Sequence, residues 1–388
     1  MAAYSATIEI RPVKTKAERD AFIQVPFELY KDDPNWIAPL ILERREHFDP
    51  RKNPYFEHAR VAMWTASRGD RLVGRISAQI CDLYLERYSD ATGHFGFLES
   101  IDDPDVFKAL IDQATGWLAA QGMKRVIGPF SFSINDECGL LVDGHDQPAV
   151  LMMNYAPAYY ARRLEQSGFS GIKDIFAFDY CSKLELPRAL VKMVERAKQS
   201  GELEVRPFRM SKLDEELDII ISIFNEAWAD NWGFVPMSDR EVKALGSNLK
   251  LLVRGEFAAI AYYNGEPAAM AVSLPNVNEA IADLNGRLLP FGWAKLLWRL
   301  KICQPKSVRM PLMGVRKKYQ SGAIGAALAT AVIDPIRSFH RDRGSQRAEL
   351  SWVLDDNEAM LNLAEFIGAQ RYKTYRMYER AITQAHEE

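Results

Sequence analysis

The sequence predicts two consecutive α/β domains, each built from a mixed β-sheet with helices on both faces. The main observation is that one order of predicted strands and helices occurs twice along the 388 residues. In each half a hairpin precedes a strand, an amphipathic helix and a further strand, a pattern that places a parallel pair beside antiparallel strands. A chain of this length also suits two domains of ordinary size.

The first half opens with the alternating segment TIEIRPV at 7–13, which predicts a strand, and continues with a helical pattern from Lys16 to Tyr30. The next two apolar runs are joined by the turn residues RGDR and predict a hairpin over 61–67 and 72–82. Further strands are expected at 94–101, 125–132 and 174–184, and helices at 104–121 and 159–169.

The second half repeats this order. Its first strand, LEVRPFRM at 203–210, also contains an Arg-Pro pair, and a helix is expected from Asp214 to Asp230. The residues NGE join a second predicted hairpin over 257–263 and 267–274. Further strands are expected at 308–315, 347–354 and 374–382, and helices at 324–341 and 360–370. The predicted domains are therefore 1–186 and 203–388, with a linker helix within 187–202.

Composition excludes several classes of function. The formal net charge is -3, so bulk charge gives no indication of a nucleic-acid partner, and no DNA is expected. The four cysteines form no CxxC pair and the six histidines form no HxxxH cluster, so no metal is expected and a reducing compartment is favoured. Neither a signal peptide nor a run of 18 apolar residues is present, and the expected location is cytoplasmic.

The strongest motif is a glycine-containing loop between a predicted strand and a predicted helix, MGVRKKYQSGAIGAAL at 313–328. Small residues allow close approach of a ligand to the backbone, and the free N–H groups at a helix N-terminus bind phosphate oxygens. Arg316, Lys317 and Lys318 add positive charge nearby. The motif therefore predicts a phosphate site.

This loop resembles the pyrophosphate loop of the GNAT superfamily of acyl-CoA-dependent N-acyltransferases, which reads Gln/Arg-x-x-Gly-x-Gly/Ala. Gln320, Ala323 and Gly325 occupy its three positions, and Ala323 departs from the usual glycine. The segment SWVLDDN, which ends at Asn357, resembles the next strand and the start of the last helix. The resemblance implies two tandem GNAT-like domains and acyl-CoA as co-substrate, held by Met313, Val315, Gln320, Ser321, Gly322, Ala323, Ile324, Gly325, Ala326 and Asn357.

The catalytic groups are less clearly indicated. A tyrosine acid often lies seven residues after the family's asparagine, but Ala364 stands there, and Tyr372 or Tyr375 is a candidate substitute. Glu137 and Glu226 are candidate bases for an ammonium acceptor, although each could equally be a solvated or capping carboxylate. Amide and aromatic residues at two loops predict an acceptor wall, with packing at a helix end as the alternative; these residues are Asn135, Asn225, Trp228, Asn231, Trp232 and Phe234.

Two further segments indicate which ligands and surfaces the domains are expected to bind. The loop that would correspond to the phosphate loop in the first half, 99–105, is acidic and lacks glycine, so this domain is not expected to bind CoA. The segment 287–301 combines tryptophan, leucine and basic residues at helical spacing, which is typical of an interfacial helix. Three roles are compatible with the sequence: packing on its own domain, contact with a membrane surface, which would place the protein at the inner membrane face, and contact with a partner or a second copy of the chain.

The whole chain also resembles a family of tandem GNAT-like bacterial proteins and is similar to bacterial ceramide synthases, through segments such as DPRKNPYFEHA, NDECGLLVDG and NWGFVP. This resemblance implies transfer of an acyl group from acyl-CoA to a primary amine, such as a sphingoid-type lipid amine. The sequence is also compatible with two other functions. One is an aminoacyl-tRNA-dependent transferase of the tandem GNAT type, and the other is a non-catalytic protein that binds acyl-CoA or a membrane.

Overall fold

The computed structural model describes residues 7–249 and 254–382. The chain forms two compact units. Unit 1 contains residues 7–175, 281–289 and 373–382, and unit 2 contains Phe176–Ala280 and Pro290–Tyr372. The prediction of two mixed α/β domains is confirmed.

Unit 1 is a mixed sheet with strand order β1-β2-β3-β4-β5-β15, and a short strand β8 also pairs with β15. Its helices begin with α1, which Thr15 caps through a hydrogen bond from the Glu18 N–H. The elements are β1 Ile8–Pro12, α1 Lys16–Leu29, α2 Ile41–His47, β2 Ala59–Arg68, β3 Arg71–Cys81, α3 Asp82–Tyr88, β4 Thr92–Ser100, α4 Pro104–Ala120, β5 Arg125–Gly128, β6 Phe130–Ser131, β7 Glu137–Cys138, β8 Leu140–Asp143, α5 Tyr159–Gln166, the start of β9 Ser170–Cys181, and most of β15 Gln370–Ala381.

Unit 2 has the strand order β9-β14-β13-β12-β11-β10. A π-helical turn, Arg299–Cys303, extends its short helix α10. The elements after β9 are α6 Arg188–Gln199, β10 Leu203–Pro207, α7 Leu213–Trp228, α8 Asp239–Leu249, β11 Ala258–Tyr263, β12 Glu266–Pro275, α9 Val277–Ile281, α10 Gly292–Trp298, β13 Ser307–Val315, α11 Gly322–Asp342, β14 Arg347–Leu354 and α12 Glu358–Phe366.

Each sheet contains one parallel pair formed across a long helix. β4 pairs with β5 after the crossover helix α4, and β13 pairs with β14 after the crossover helix α11. The neighbouring hairpin strands are antiparallel. This arrangement follows from the connections, because parallel strands need a long crossover whereas antiparallel strands need only a tight turn.

The two units differ from the predicted contiguous halves at their last strands. Residues 373–382 belong to unit 1, where β15 pairs with β5 and β8, and the end of β9 belongs to unit 2. Tyr375, Met377 and Tyr378 of β15 are fully buried. The helix predicted as a linker is α6, and its Val194 is buried against α11 within the core of unit 2. Residues 187–202 are therefore part of a packed unit.

Within residues 7–249 and 254–382, no helix combines the length and the apolar composition that a bilayer span requires.

Candidate active site

A gap between two parallel strands opens the sheet of unit 2. Pairing of β13 with β14 runs only from Ser307 to Met310 on the first strand. The next residue is Pro311, which has no N–H to donate to a neighbouring strand. Beyond it β13 remains paired with β12 on its other side up to Val315. The edge of β13 that would face β14 is therefore left open to a ligand.

The orientation of the backbone at this edge follows from one hydrogen bond. Arg316 donates its N–H to the carbonyl oxygen of Ala268, so alternate residues of β13 bond to β12. Met313 and Val315 lie out of phase with Arg316, and their N–H and C=O groups face the gap. Both carbonyl oxygens are engaged by side chains, Met313 by the Trp228 indole at 3.2 Å and Val315 by the Gln320 amide at 2.9 Å.

A cavity of about 910 Å³ fills the space beside this gap. Its lining includes the start of α11 and a buried apolar part, called here its buried end, which is formed by Leu190, Ile333, Ala364 and Ile367. The described residues that line it are Leu190, Ala227, Trp228, Asp230, Asn231, Trp232, Met310, Pro311, Met313, Gly314, Val315, Lys317, Gln320, Gly322, Gly325, Ala326, Ala329, Ile333, Leu350, Ser351, Trp352, Val353, Asp356, Asn357, Glu358, Ala359, Met360, Asn362, Leu363, Ala364, Phe366 and Ile367.

Helix α11 begins at the mouth of this cavity. Its N-cap residue, Ser321, makes no side-chain hydrogen bond to the helix, so the N–H groups of the first turn keep their capacity to bind an anion. Gly325 permits the tight approach of this turn to the preceding loop. A Cβ atom at Gly325 would lie 2.5 Å from the Gln320 carbonyl oxygen and 2.8 Å from that of Tyr319.

The three basic residues of the loop are all held by carboxylates. Arg316 forms an ion pair with Glu226. Lys317 contacts Asp230 at 2.5 Å, and Lys318 forms an ion pair with Glu266. The Lys317 pair is largely exposed and therefore weak, so its ammonium can move to a bound anion at little cost. Backbone N–H groups and the helix dipole, more than these side chains, make the site attractive to phosphate.

A buried polar network lies behind the cavity wall. Arg309 is fully buried and donates from Nε to Ser351 Oγ at 2.7 Å, and Ser351 lines the cavity. The guanidinium also lies 3.7 Å from Glu349, whose carboxylate accepts a hydrogen bond from Tyr372. Sequence reasoning did not find this network, although a charged residue on each of two predicted buried strands was a signal for it.

Most residues predicted to bind CoA meet at this cavity. Met313, Val315, Gln320, Gly322, Gly325, Ala326 and Asn357 line it. Ser321, Ala323 and Ile324 are exposed instead and are not among the described lining residues; Ser321 is the N-cap of α11, and the other two lie in its first turn. Asn357 caps α12 by accepting the Met360 N–H.

The predicted acceptor wall is only partly assembled. Trp228, Asn231 and Trp232 line the cavity. Phe234 does not suit a binding role, because its ring is only 4% exposed and packs in the core beside Phe224. Asn225 belongs to α7 but is not among the described lining residues. Asn135 lies in unit 1, where its N–H is bonded to Ser133.

Each of the three predicted catalytic side chains is engaged in a contact with a neighbouring residue. Glu226 accepts hydrogen bonds from Arg316 and from the Lys317 N–H, so it ties α7 to the phosphate loop. Glu137 lies in unit 1 and pairs with Arg44 at 3.0 Å. Tyr372 donates to Glu349. None of the three is among the described residues that line the cavity, and this geometry favours positioning roles for them.

The place of the family tyrosine is occupied by a small residue with a structural consequence. Ala364 is 2% exposed and lines the buried end of the cavity. Leu190, Ile333 and Ile367 are buried residues of the same lining. A tyrosine at 364 would add a ring to this space, so the alanine leaves room for a ligand. Among the described residues no group of three His, Cys, Asp or Glu side chains could hold a metal ion.

Comparison with known proteins gives two curated relatives, each 44% identical to the chain. One is the bacterial ceramide synthase of Caulobacter vibrioides (strain NA1000 / CB15N), matched over 97% of this chain and 98% of the relative. The other is protein YghO of Escherichia coli (strain K12), matched over 96% and 95%. No protein-family model matches the sequence.

Two solved structures with similar folds carry names of the GNAT type. A tandem GNAT protein from the clavulanic acid biosynthesis pathway has a TM-score of 0.58 at 10% identity and covers 98% of this chain and 100% of that one. A GCN5-related N-acetyltransferase from Sphaerobacter thermophilus has a TM-score of 0.54 at 12% identity, with coverages of 97% and 96%. These likenesses concern the fold alone, and they confirm the predicted tandem GNAT architecture.

Proposed function

We propose that this chain, which belongs to the family that includes the bacterial ceramide synthase of Caulobacter vibrioides, transfers an acyl group from acyl-CoA to the primary amine of a lipid. Its membership of this family makes it an N-acyltransferase of the GNAT type. The main support for this proposal is that one cavity is lined both by the uncapped N-terminus of α11 and by the gap between the parallel strands β13 and β14.

The first support concerns the phosphates of the donor. The N–H groups at the start of α11, next to Gly322 and Gly325, offer several donors to a pyrophosphate at the mouth of the cavity. Lys317 lines the same mouth and can exchange Asp230 for a phosphate oxygen. This combination favours a ligand that carries a diphosphate, as CoA does.

The second support concerns the arm that carries the thioester. Met313 and Val315 turn their N–H groups to the gap, while the Trp228 and Gln320 side chains already occupy their carbonyl oxygens. The edge therefore presents mainly donors, which suit the amide carbonyls of a pantetheine arm. A donor near the thioester also polarises its carbonyl and stabilises the negative charge that develops when the amine attacks.

Release of the thiolate needs a proton or a strong hydrogen bond. Ala364 cannot supply it, and Tyr372 is bonded to Glu349. Ser351 lines the gap, and its oxygen already accepts a hydrogen bond from the Arg309 guanidinium. Its own proton is therefore available to another acceptor. We assign Ser351 as the group that donates to the leaving sulfur.

The amine acceptor must lose a proton as its nitrogen bonds to the carbonyl carbon and the carbon–sulfur bond breaks. Asp230, Asp356 and Glu358 are carboxylates that line the cavity, and a carboxylate can take this proton directly or through water. Holding both substrates in one cavity supplies part of the rate, because the reacting atoms are already aligned.

The class of the two substrates is indicated by the apolar parts of the cavity. Its lining includes the buried aliphatic residues Leu190, Ile333 and Ile367, which suit a hydrocarbon chain. Two tryptophan rings, Trp228 and Trp232, line another part. A long-chain acyl donor and an amphipathic amine of the sphingoid type fit this lining better than two small polar substrates.

The first experiment measures thermal stability with acyl-CoAs of short, medium and long chains. A ligand that binds the native state stabilises it by RT ln(1 + [L]/Kd), so about 2.7 kcal/mol is expected at one hundred times Kd. Gly325→Glu places a carboxylate and a Cβ clash at the phosphate site and should abolish the shift. Gly116→Glu is the matched control, since a Cβ there meets no atom within 4 Å on the helix α4 of unit 1.

The second experiment measures release of the CoA thiol with a panel of amines that includes sphingoid bases. The proposal expects turnover with long-chain acyl-CoA and a lipid amine. Stabilisation without turnover on any amine would favour a non-catalytic acyl-CoA-binding protein. Failure of every acyl-CoA to stabilise the protein, together with tRNA binding that weakens steeply with salt, would favour an aminoacyl-tRNA-dependent transferase.

A further inference from the structure

Large apolar side chains are concentrated on one exposed segment of unit 2. Among the described residues ten such side chains are exposed, and five of them lie between residues 290 and 303. We call these residues the 290–303 surface; they are Phe291, Trp293, Leu297, Trp298 and Ile302, with exposed fractions of 78%, 51%, 46%, 57% and 70%. Such a concentration on a monomer marks an interaction site.

The segment has a defined shape although its apolar side chains point to solvent. Helix α10 continues directly into the π-helical turn at Arg299. The Arg299 guanidinium donates to the Ala280 carbonyl oxygen at 2.8 Å, and the Trp293 indole donates to the Pro290 carbonyl oxygen at 3.1 Å. These contacts hold the surface in place without covering it.

The charges on this segment are of one sign. Lys295, Lys301 and Lys306 are exposed, and residues 284–306 contain five Lys or Arg residues and no Asp or Glu. A cationic surface with aromatic and aliphatic side chains is complementary to an anionic lipid headgroup region, where charged groups bind headgroups and apolar groups enter the acyl boundary.

Two other occupants fit less well. In a symmetric dimer the same patch meets itself, so the lysines of one copy would approach the lysines of the other. RNA would use the lysines and could stack on the tryptophans, but Leu297 and Ile302 would gain no apolar partner from it. A lipid surface satisfies both the charges and the aliphatic side chains.

We propose that the 290–303 surface binds the surface of an anionic membrane, with its aromatic and aliphatic side chains in the interfacial layer. The contact deepens the proposed function, because it would bring the cavity of unit 2 to a membrane that contains the lipid amine. The membrane contact itself needs neither acyl-CoA nor turnover, and it can be tested apart from them.

The test is sedimentation of the full chain with vesicles of phosphatidylcholine alone or with one third phosphatidylglycerol, without acyl-CoA. We expect binding to the anionic vesicles that weakens as salt is raised. Trp298→Glu and the pair Lys295→Glu/Lys301→Glu should each weaken binding at least tenfold, the first by burying a charge and the second by repelling headgroups. Leu42→Ser is the matched control, because Leu42 on α2 is 56% exposed and lies in unit 1.

Several results would overturn this proposal. One is equal vesicle binding by the wild-type chain and Trp298→Glu; another is no vesicle binding by the wild-type chain. Dissociation of a wild-type dimer by Trp298→Glu, with vesicle binding unchanged, would assign the surface to a second copy, and retention of tRNA in place of vesicles would assign it to RNA. Thermal stabilisation of Trp298→Glu by acyl-CoA separates these outcomes from failure of the proposed function.

Discussion

Arg309 and Ser351 form a hydrogen bond of 2.7 Å between Nε and Oγ at the point where β13 and β14 separate. Arg309 is fully buried, and a buried guanidinium that remains charged stabilises negative charge on the oxygen it contacts. The contact also fixes the role of the hydroxyl, because an oxygen that accepts from arginine must direct its own proton elsewhere. This contact supports the proposed role of Ser351 as a donor at the cavity wall.

Replacement of Ser351 tests this role. Ser351→Ala should lower kcat by about tenfold to a hundredfold and leave KM for acyl-CoA nearly unchanged, because a donor to the leaving group acts in the transition state. Ser351→Thr keeps the hydroxyl and should retain most of the activity. Steady-state kinetics with a long-chain acyl-CoA and an accepted amine measure both variants.

An oxygen ester of the same acyl group separates donation to the leaving group from a structural effect. An alkoxide is a far poorer leaving group than a thiolate, so the loss caused by Ser351→Ala should be larger for the oxygen ester than for the thioester. Equal losses for the two esters would assign Ser351 to support of the cavity wall.

Ala364 should control the length of the acyl chain. Ala364→Phe fills the buried end of the cavity, so kcat/KM should fall for long-chain acyl-CoA and change little for a short chain. Ala364 lines the cavity but also belongs to a buried cluster with Val353 and Ile367, so the loss of thermal stability should be smaller than at a core position that does not line the cavity. Ala331→Phe is the control: Ala331 lies in the packed core on α11, and overpacking there should cost about 1–3 kcal/mol. An unchanged chain-length preference would place the acyl chain elsewhere.

Glu226 is expected to position the phosphate loop. Glu226→Gln keeps the shape but weakens the contacts to Arg316 and to the Lys317 N–H, so Kd for acyl-CoA should rise about threefold to tenfold while kcat stays close to the wild-type value. The loss of stability should be at most about 1 kcal/mol, since the pair is partly exposed. A collapse of kcat with an unchanged Kd would instead identify Glu226 as the base.

His340 should make the stability of the protein depend on pH. Burial, with the nearby Arg343 guanidinium as a second cause, lowers the pKa of His340 from its usual 6.5 to about 4. Between these values the unfolded chain takes up a proton that the folded chain does not, so stability falls as pH is lowered from about 6.5 towards 4. At pH 5 the loss from this group is about 2 kcal/mol.

The comparison of His340→Gln with the wild-type chain isolates this contribution. Glutamine cannot titrate and can still reach Ser273, whose hydroxyl lies 2.8 Å from His340 Nε2. Free energies of unfolding from urea titrations at pH 8, 6.5 and 5 should therefore decline less steeply for the variant. At pH 8 both side chains are neutral, and this point serves as the reference. Parallel pH profiles would contradict the expectation.

The order of elements in both units could be predicted from sequence because it depends on local patterns. Alternation, turn residues and helical periodicity predicted the hairpin β11–β12 and the helix α11 near their observed positions. The membership of β15 in unit 1 could not be predicted in this way. Pairing of a strand with partners distant in sequence depends on tertiary packing, and Tyr375 and Met377 read equally well as core residues of either unit.

In the candidate site, too, local features could be predicted from the sequence and contacts between distant segments could not. The loop around Gly325 was recognisable because a phosphate site on a helix N-terminus requires a local pattern. The network of Arg309, Glu349 and Ser351 joins two strands and gives no local pattern beyond charges on apolar segments. Phe234 was predicted to line the acceptor site, but its ring packs in the core. An aromatic residue that follows a helix can either pack inward or face a ligand, and the local sequence does not distinguish the two.

The placement of β15 has a consequence for biosynthesis. Its partner β5 leaves the ribosome about 240 residues earlier, which at 5–20 residues per second is roughly 10 to 50 s before β15 is made. Throughout that interval the nascent unit 1 exposes the edge of β5 and the apolar surface that Tyr378 later covers. Completion of the first unit therefore waits for nearly the entire second unit to be translated, and chaperones that shield sheet edges would have their longest opportunity at β5.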